Sequence, residues 1–356
     1  MIKIVTVIGA RPQFIKAAAI SRYIRDNSCG ISEVIVHTGQ HFDTNMSEIF
    51  FTQMDIPAPD YHLNIHSLGH GAMTGQMLSG IEEVLLKEKP DFTLVYGDTN
   101  STIAGALAAK KLHGRVAHVE AGLRSFNMKM PEEINRILTD RISDLLFCPT
   151  DKAVENLGKE GFGGFECRII KSGDVMQDAA LFYAGRAEKP ALKLPAEFII
   201  LTLHRAENTD DPGRFVSILK AMAEISEMTA VIFPMHPRTK KTIIEQGDEK
   251  LLEKITVIEP VGYLEMIWML KNCRMVMTDS GGLQKEAYFF KKPCVTLRDE
   301  TEWVELVANG VNALAGSDYN KIIEAAEKML AAKPDYTIDL YGNGKASGNI
   351  VNELLK

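Results

Sequence analysis

Along this chain, short runs of apolar and β-branched residues alternate with longer stretches whose apolar positions recur every three to four residues. In the first half the short runs are IKIVTVIG, EVIVHT, FTLVYGD, RVAHVE and LLFCP, and a helix is predicted over about residues 12–26. This rhythm predicts parallel strands flanked by helices. After about Cys167 the pattern restarts with EFIILTLH, AVIFPMH, ITVIEP, RMVMTDSGG and PCVTLRD, each followed by a helical stretch. A second α/β domain of similar construction is therefore predicted. No low-complexity linker separates the halves, and the junction is placed near Ser172–Gly173, giving domains at 1–172 and 173–343.

A length of 356 residues agrees with two cores, because single cores stop growing near ~250–300 residues. With 46% hydrophobic and 24% charged residues the composition is globular, and no stretch approaches the ~18 uncharged apolar residues of a membrane span. The opening MIKIVTVIGA runs directly into Arg11-Pro12 and reads as a buried first strand, not a signal peptide. A formal charge of −7 without any Lys/Arg-rich run argues against nucleic acid as a partner. The five cysteines are scattered, without a C-x-x-C pair, which speaks against a zinc site or a disulfide framework and for a reducing cytoplasm.

Ligands of open α/β sheets bind beyond the carboxyl ends of the strands, so the residues following each apolar run are the candidates. They are Gly97-Asp98-Thr99, Glu120, His204-Arg205, His236 and Asp279-Ser280-Gly281-Gly282, with acids in the first half and histidines in the second. Asp98 alone reads equally as an acid at a helix start opposing the macrodipole. Glu120 shares a strand face with His118 at period two, and a buried carboxylate there calls for a cation, Arg124 or Arg11, or for a ligand. Pro131 followed by Glu132 and Glu133 is also an ordinary helix start.

Ser280, Gly281 and Gly282 could present N–H groups and a hydroxyl to a phosphate at a helix N-terminus, with Glu286 placed to reach ribose hydroxyls. The first loop, Gly9-Ala10-Arg11-Pro12-Gln13, lacks the G-x-G-x-x-G of dinucleotide folds, and Arg11 looks like a phosphate clamp. His204, Gln40 and His41 read equally as polar residues at strand ends. Metal-ligand spacing and a G-x-S-x-G elbow are both missing from the sequence.

GARPQFIK, HTGQH, GDTNST, HVEAGLRS, MPEEINR, LHRAEN, HPRT and TDSGGLQKEA stand in the order and spacing of the non-hydrolysing UDP-N-acetylglucosamine 2-epimerase family, which the chain resembles over nearly its whole length. The resemblance implies an α/β chain of two Rossmann-like domains facing across a cleft (GT-B-like). The second domain would bind UDP, and the last helix, 344–356, would pack back on the first. It implies a homodimer that acts on a UDP-sugar without any added cofactor. The C2 proton of such a sugar has no neighbouring carbonyl to activate it. The family eliminates UDP to a glycal while C2 loses its proton, then re-adds UDP with protonation from the other face, which requires an acid, a base and support for the departing diphosphate.

Carried over by position, the catalytic residues are Asp98, Glu120, Glu132 and His204. Substrate-binding positions are Arg11, Lys16, Gln40, His41, Arg124, Arg205, His236, Met266, Ser280, Gly281, Gly282 and Glu286. Two departures matter: Ala72-Met73 stand where many members carry an Arg-Gln pair for an activating UDP-sugar, and Trp303-Val304-Glu305 replace Arg-Pro-Glu. With GDVMQDAALFYA they resemble the branch acting on UDP-2,3-diacetamido-2,3-dideoxy-glucuronate, which supplies surface polysaccharide. Competing readings are UDP-N-acetylglucosamine as substrate, a GT-B glycosyltransferase, a hydrolysing epimerase and a non-catalytic nucleotide-sugar sensor. The acidic trio with His204 favours an epimerase over the sensor, and glycosyl transfer gives no reason for Asp98, Glu120 and Glu132 all to be present.

Overall fold

The structure, a computed structural model, describes residues 1–28, 30–40, 57–235, 237–246 and 249–356. It divides into two compact units, Met1–Ala179 with Leu340–Lys356, and Ala180–Asp339.

The first unit runs β1 (Ile2–Ile8), α1 (Arg11–Asn27), β2 (Ile31–His37), β3 (Tyr61–His62), α2 (His70–Glu88), β4 (Phe92–Tyr96), α3 (Asn100–Lys111), β5 (Val116–Val119), α4 (Pro131–Ile142), β6 (Leu145–Cys148), α5 (Asp151–Lys159), β7 (Arg168–Lys171) and α6 (Val175–Ala184), which continues into the second unit. All its strand pairs are parallel, in the order β3-β2-β1-β4-β5-β6-β7. A parallel sheet needs helices on both faces, so its central strands carry continuous apolar runs: every residue of β4, β5 and β6 is buried. On one face Val5, Val7, Val36 and Val95 pack with Met77, Ile81 and Ala104 of α2 and α3.

The second unit continues with β8 (Ile199–Thr202), α7 (Ala206–Thr209), α8 (Pro212–Met228), β9 (Val231–Pro234), α9 (Pro237–Gln246), β10 (Thr256–Ile258), α10 (Tyr263–Asn272), β11 (Met275–Thr278), α11 (Gly281–Phe289), β12 (Cys294–Thr296), α12 (Val304–Ala308), β13 (Asn312–Leu314) and α13 (Tyr319–Ala331). Its order is β10-β9-β8-β11-β12-β13, again all parallel. Alternation along β8 sends Ile199 and Leu201 into one core with Phe215, Met222 and Phe233, and Ile200 into a second with Met269, Val276 and Cys294.

The final helix, α14 (Ala346–Leu354), belongs to the first unit and packs on α1, close enough that a side chain at Gly348 would meet the Tyr23 ring at 3.1 Å. The units divide later than the Ser172–Gly173 junction read from the sequence, and the returning segment begins at Leu340 instead of 344. Hydrogen bonds explain the shift: Asp174 N donates to Tyr341 O (2.8 Å), while Ala346 N and Ser347 N donate to the Asp178 carboxylate (3.1 and 2.7 Å). These bonds tie the first half of α6 to the returning chain. Among the described residues no helix is long and apolar enough to cross a membrane.

Both sheets reverse strand order at one point, between β1 and β4 in the first unit and between β8 and β11 in the second. The crevice outside the strand ends at such a switch point is where open α/β sheets take ligands. Gly9–Arg11 and Gly97–Asp98 stand there in the first unit, and His204–Arg205 and Asp279–Gly282 in the second.

Candidate functional site

In the first unit the loop after β1 is closed by Gln13, whose Oε1 accepts Gly9 N (2.8 Å) and Ala10 N (3.0 Å), while its Nε2 donates to Tyr96 O (2.9 Å) at the end of β4. The two strand ends at the switch point are thereby stitched together. A side chain on Gly9 would overlap the Thr38 and Ser101 hydroxyls, which bond to each other at 2.8 Å. Gln40 joins them, its Oε1 accepting Ser101 N (3.2 Å) and Ser101 Oγ (2.9 Å). Arg11 opens α1 half-buried.

One turn further along α1, the Lys16 ammonium lies in direct contact with the Glu120 carboxylate, both side chains being nearly buried (10% and 8% exposed). The cation meeting Glu120 is thus Lys16, a position that the resemblance had carried over as substrate-binding. The alternation that would keep Glu120 on the face of His118 ends at Val119, because Glu120 takes a left-handed φ of 73°. A glutamate in that region is strained by about 1–2 kcal/mol, a cost that recurs at functional sites. Gly97, at φ 62°, makes room: a Cβ there would stand 3.1 Å from both Glu120 Oε2 and Lys16 Nζ.

Asp98, its side chain 29% exposed, is in salt-bridge contact with Arg136 of α4, and Asn135 Nδ2 donates to its carbonyl (2.9 Å). Arg136 also donates to Glu133 Oε2 (2.9 Å), and Glu133 accepts Ser125 N, Ser125 Oγ and Phe126 N (3.0, 2.9 and 2.9 Å). Of the two acids opening α4, Glu133 is the buried one, bracing the loop before the helix, while Glu132 is exposed.

Arg124 does not offer itself to a ligand. Its guanidinium is fully buried, with Nε and Nη2 on Glu160 (2.7 and 2.8 Å) and Nη1 on Asp140 (2.7 Å) and Leu123 O (2.6 Å). A cation already spanned by two carboxylates has little left for a substrate, so its expected substrate contact is replaced by a structural one.

In the second unit the fully buried Asp279 organises the switch point. Its carboxylate accepts His204 N (3.0 Å), Arg205 N (3.0 Å) and Asn208 Nδ2 (3.3 Å), and stands 3.4 Å from Nδ1 of the half-exposed His204 ring. A carboxylate on one ring nitrogen orients the imidazole, as in many acid–base sites. Arg205 is half-buried at the cap of α7.

Ser280 caps α11 without a side-chain cap bond, and its N–H donates to Thr278 Oγ1 (2.9 Å). The Glu302 carboxylate lies across this turn: a Cβ on Gly281 would come within 2.6 Å of Glu302 Oε1, and Arg298 Nη1 holds the other oxygen at 2.9 Å. A negative charge beside the first turn of a helix is favoured by its macrodipole. Trp303, buried, carries the Lys285 ammonium 4.0 Å above its ring. Glu286 is buried and accepts the Tyr263 hydroxyl at 3.0 Å. Met266 packs against the core beside Met269.

His41 and His236 lie outside the described residues. The residues the sequence reading missed are Gln13, Glu133, Arg136 and Asp140, polar groups inside helices whose role is to hold other groups. The Glu133/Arg136 spacing of three on one helix face was the available signal.

A family model described as UDP-N-acetylglucosamine 2-epimerase matches residues 24–355. The UDP-2,3-diacetamido-2,3-dideoxy-D-glucuronate 2-epimerase of Pseudomonas aeruginosa is 58% identical over 356 residues, covering 99% of each chain. The crystal structure of Methanocaldococcus jannaschii UDP-GlcNAc 2-epimerase in complex with UDP-GlcNAc and UDP superposes with a TM-score of 0.90 at 46% identity, covering 99% of both chains. A Rickettsia africae glycosyltransferase, 13% identical with a TM-score of 0.57 over 99% of this chain and 93% of its own, shares the GT-B-like fold alone.

Proposed function

Because this chain belongs to the UDP-N-acetylglucosamine 2-epimerase family, we propose that its substrate within that family is UDP-2,3-diacetamido-2,3-dideoxy-D-glucuronate, converted to the mannuronate epimer. It is a UDP-sugar 2-epimerase. In the non-hydrolysing reaction a base removes the C2 proton, the C1–O bond to the diphosphate breaks, and its electron pair leaves with UDP as the C1–C2 double bond forms. UDP then returns to C1 while C2 takes a proton on the opposite face.

The observation that carries this reading is the placement of two carboxylates, Asp98 and Glu120, just beyond the ends of the adjacent strands β4 and β5, each against a cation. Arg136 and Lys16 offset the acids' charge, so a nucleotide sugar carrying a doubly anionic diphosphate and a C6 carboxylate can approach groups that would otherwise repel it. Asp98 and Glu120, with the exposed Glu132 at the start of α4, are assigned to proton handling in the first unit. His204, oriented by Asp279, is the fourth such group, on the second unit. Ser280–Gly282 with Arg205 are assigned to the diphosphate and Glu286 to the ribose. Arg11 and Gln40 stand at the first unit's switch point and are assigned to substrate. The enzyme is further read as a cytoplasmic homodimer feeding surface polysaccharide synthesis.

The choice of sugar rests on the 58% identity to the Pseudomonas enzyme together with Ala72-Met73 and Trp303-Val304. The alternative, UDP-N-acetylglucosamine, is the sugar named for the Methanocaldococcus relative. Both UDP-sugars should be offered in D₂O and followed by NMR. Deuterium at C2 of a product still carrying UDP, with kcat/KM well above that for UDP-N-acetylglucosamine, is the expected result. Comparable kcat/KM would defeat the substrate assignment, retention of the original C2 hydrogen would defeat the elimination, and free sugar would indicate a hydrolysing enzyme.

A further inference from the structure

His118 lies in β5, fully buried, and bonds on both sides. Its Nε2 is 2.7 Å from the carbonyl oxygen of Gly97, and its Nδ1 is 2.7 Å from Asp140 Oδ1 of α4. A carbonyl only accepts, so Nε2 donates. Burial pushes the Asp140 carboxyl up, but the bond and charge of His118 and the Arg124 guanidinium outweigh it and hold it below the usual carboxylate range. The Nδ1 side of the ring faces that carboxylate, so the imidazole bridges Gly97 and Asp140.

The carbonyl so gripped belongs to the residue immediately before Asp98, in a turn at φ 62° that continues β4 past the strand end. The other side of Asp98 is held from α4, with Asn135 Nδ2 on its carbonyl (2.9 Å) and Arg136 on its carboxylate. Asp140 lies on the same helix, whose first turn carries Glu132. The chain Asp140–His118–Gly97 thus sets the register of the turn bearing Asp98 against the helix bearing Glu132. We propose that His118 is a positioning residue for the epimerase reaction, acting through the Gly97 carbonyl on Asp98. The proposal rests on the reading of Asp98 as a proton-handling acid.

A buried histidine that only fills and satisfies its site would make the same two bonds, so the test must separate the two ring nitrogens. In His118→Asn the amide reaches about as far as Nδ1 and keeps Asp140 while releasing Gly97. In His118→Gln it reaches about as far as Nε2 and keeps the Gly97 carbonyl while releasing Asp140. A turn freed to shift by about 1 Å loses on the order of 10²-fold in rate. The expected result is a kcat roughly 10–100-fold down in His118→Asn, with calorimetric UDP affinity unchanged, and a kcat within a few-fold of wild type in His118→Gln.

Asp98→Asn and the double variant Asp98→Asn/His118→Asn complete a cycle, in which the double should be no slower than Asp98→Asn alone. Equal kcat in the Asn and Gln variants, or multiplicative losses in the cycle, overturns the proposal. Wild-type kcat in Asp98→Asn instead overturns the reading of Asp98. Should the Asn variant be recovered unfolded, a folded His118→Gln enzyme as slow as Asp98→Asn would overturn the proposal by itself.

Discussion

The Lys16–Glu120 contact offers a quantitative test of how the first unit is held together. With both side chains about nine-tenths buried, each charge has surrendered most of its water. Unit charges ~3 Å apart attract by about 5 kcal/mol at an effective dielectric of 20. Desolvation of several kcal/mol per ion offsets this, so the pair itself contributes little, yet removing one partner is costly. Lys16→Met strands a buried carboxylate and should destabilise the first unit by about 3 kcal/mol. Glu120→Gln should cost about 2 kcal/mol, because the freed lysine can extend its stem toward water. The double variant buries no charge and should cost about 2 kcal/mol, a coupling of about 3 kcal/mol.

The probe has to be chosen with care. Both tryptophans, Trp268 and Trp303, lie in the second unit, so indole fluorescence does not report on the first. Hydrogen exchange of peptides spanning residues 92–119, read by mass spectrometry, does. A coupling below ~0.5 kcal/mol, the value of an exposed pair, would refute the reasoning.

Burial and the nearby His62 lower the His37 pKa from 6.5 to about 4, so the native state binds fewer protons than the unfolded one between those values. The stability this carries is complete above pH 6.5 and is lost as pH falls toward 4, by about 3 kcal/mol. Denaturant titrations of wild type and His37→Gln across that window should diverge by this amount at low pH, and parallel curves would dismiss it. Gly122→Ala should cost about 3 kcal/mol or more, measured as a lowered Tm, because φ is 80° and the new Cβ would stand 2.5 Å from Ala153 O; an unchanged Tm would contradict it. Glu286→Ala and Ser280→Ala should each weaken UDP binding by calorimetry, about tenfold or more for Glu286, with a smaller loss in kcat at saturation. Unchanged affinity in both variants would move the nucleotide site elsewhere.

The sequence alone determined the two α/β halves, because a central parallel strand is buried on both faces and so advertises itself as an apolar run such as FTLVY or FIILT. The strands it left unread, β3, β7 and β13, are three of the four sheet edges, partly exposed and without such a run, while the fourth, β10, was legible in ITVIEP. It also marked the residues that follow each strand, since a strand's end places its next residue at the sheet's carboxyl edge whatever the rest of the fold does. Pairings were another matter. Lys16 and Glu120 are more than a hundred positions apart in sequence, and their contact follows from β1 and β5 flanking β4 in one sheet. Arg124, beside Glu120 in sequence, went instead to Asp140 and Glu160, because Glu120 leaves its strand in a left-handed turn and carries the chain after it in another direction. Strand order and a single positive φ set which charge meets which, and neither is local to the residues that carry the charge.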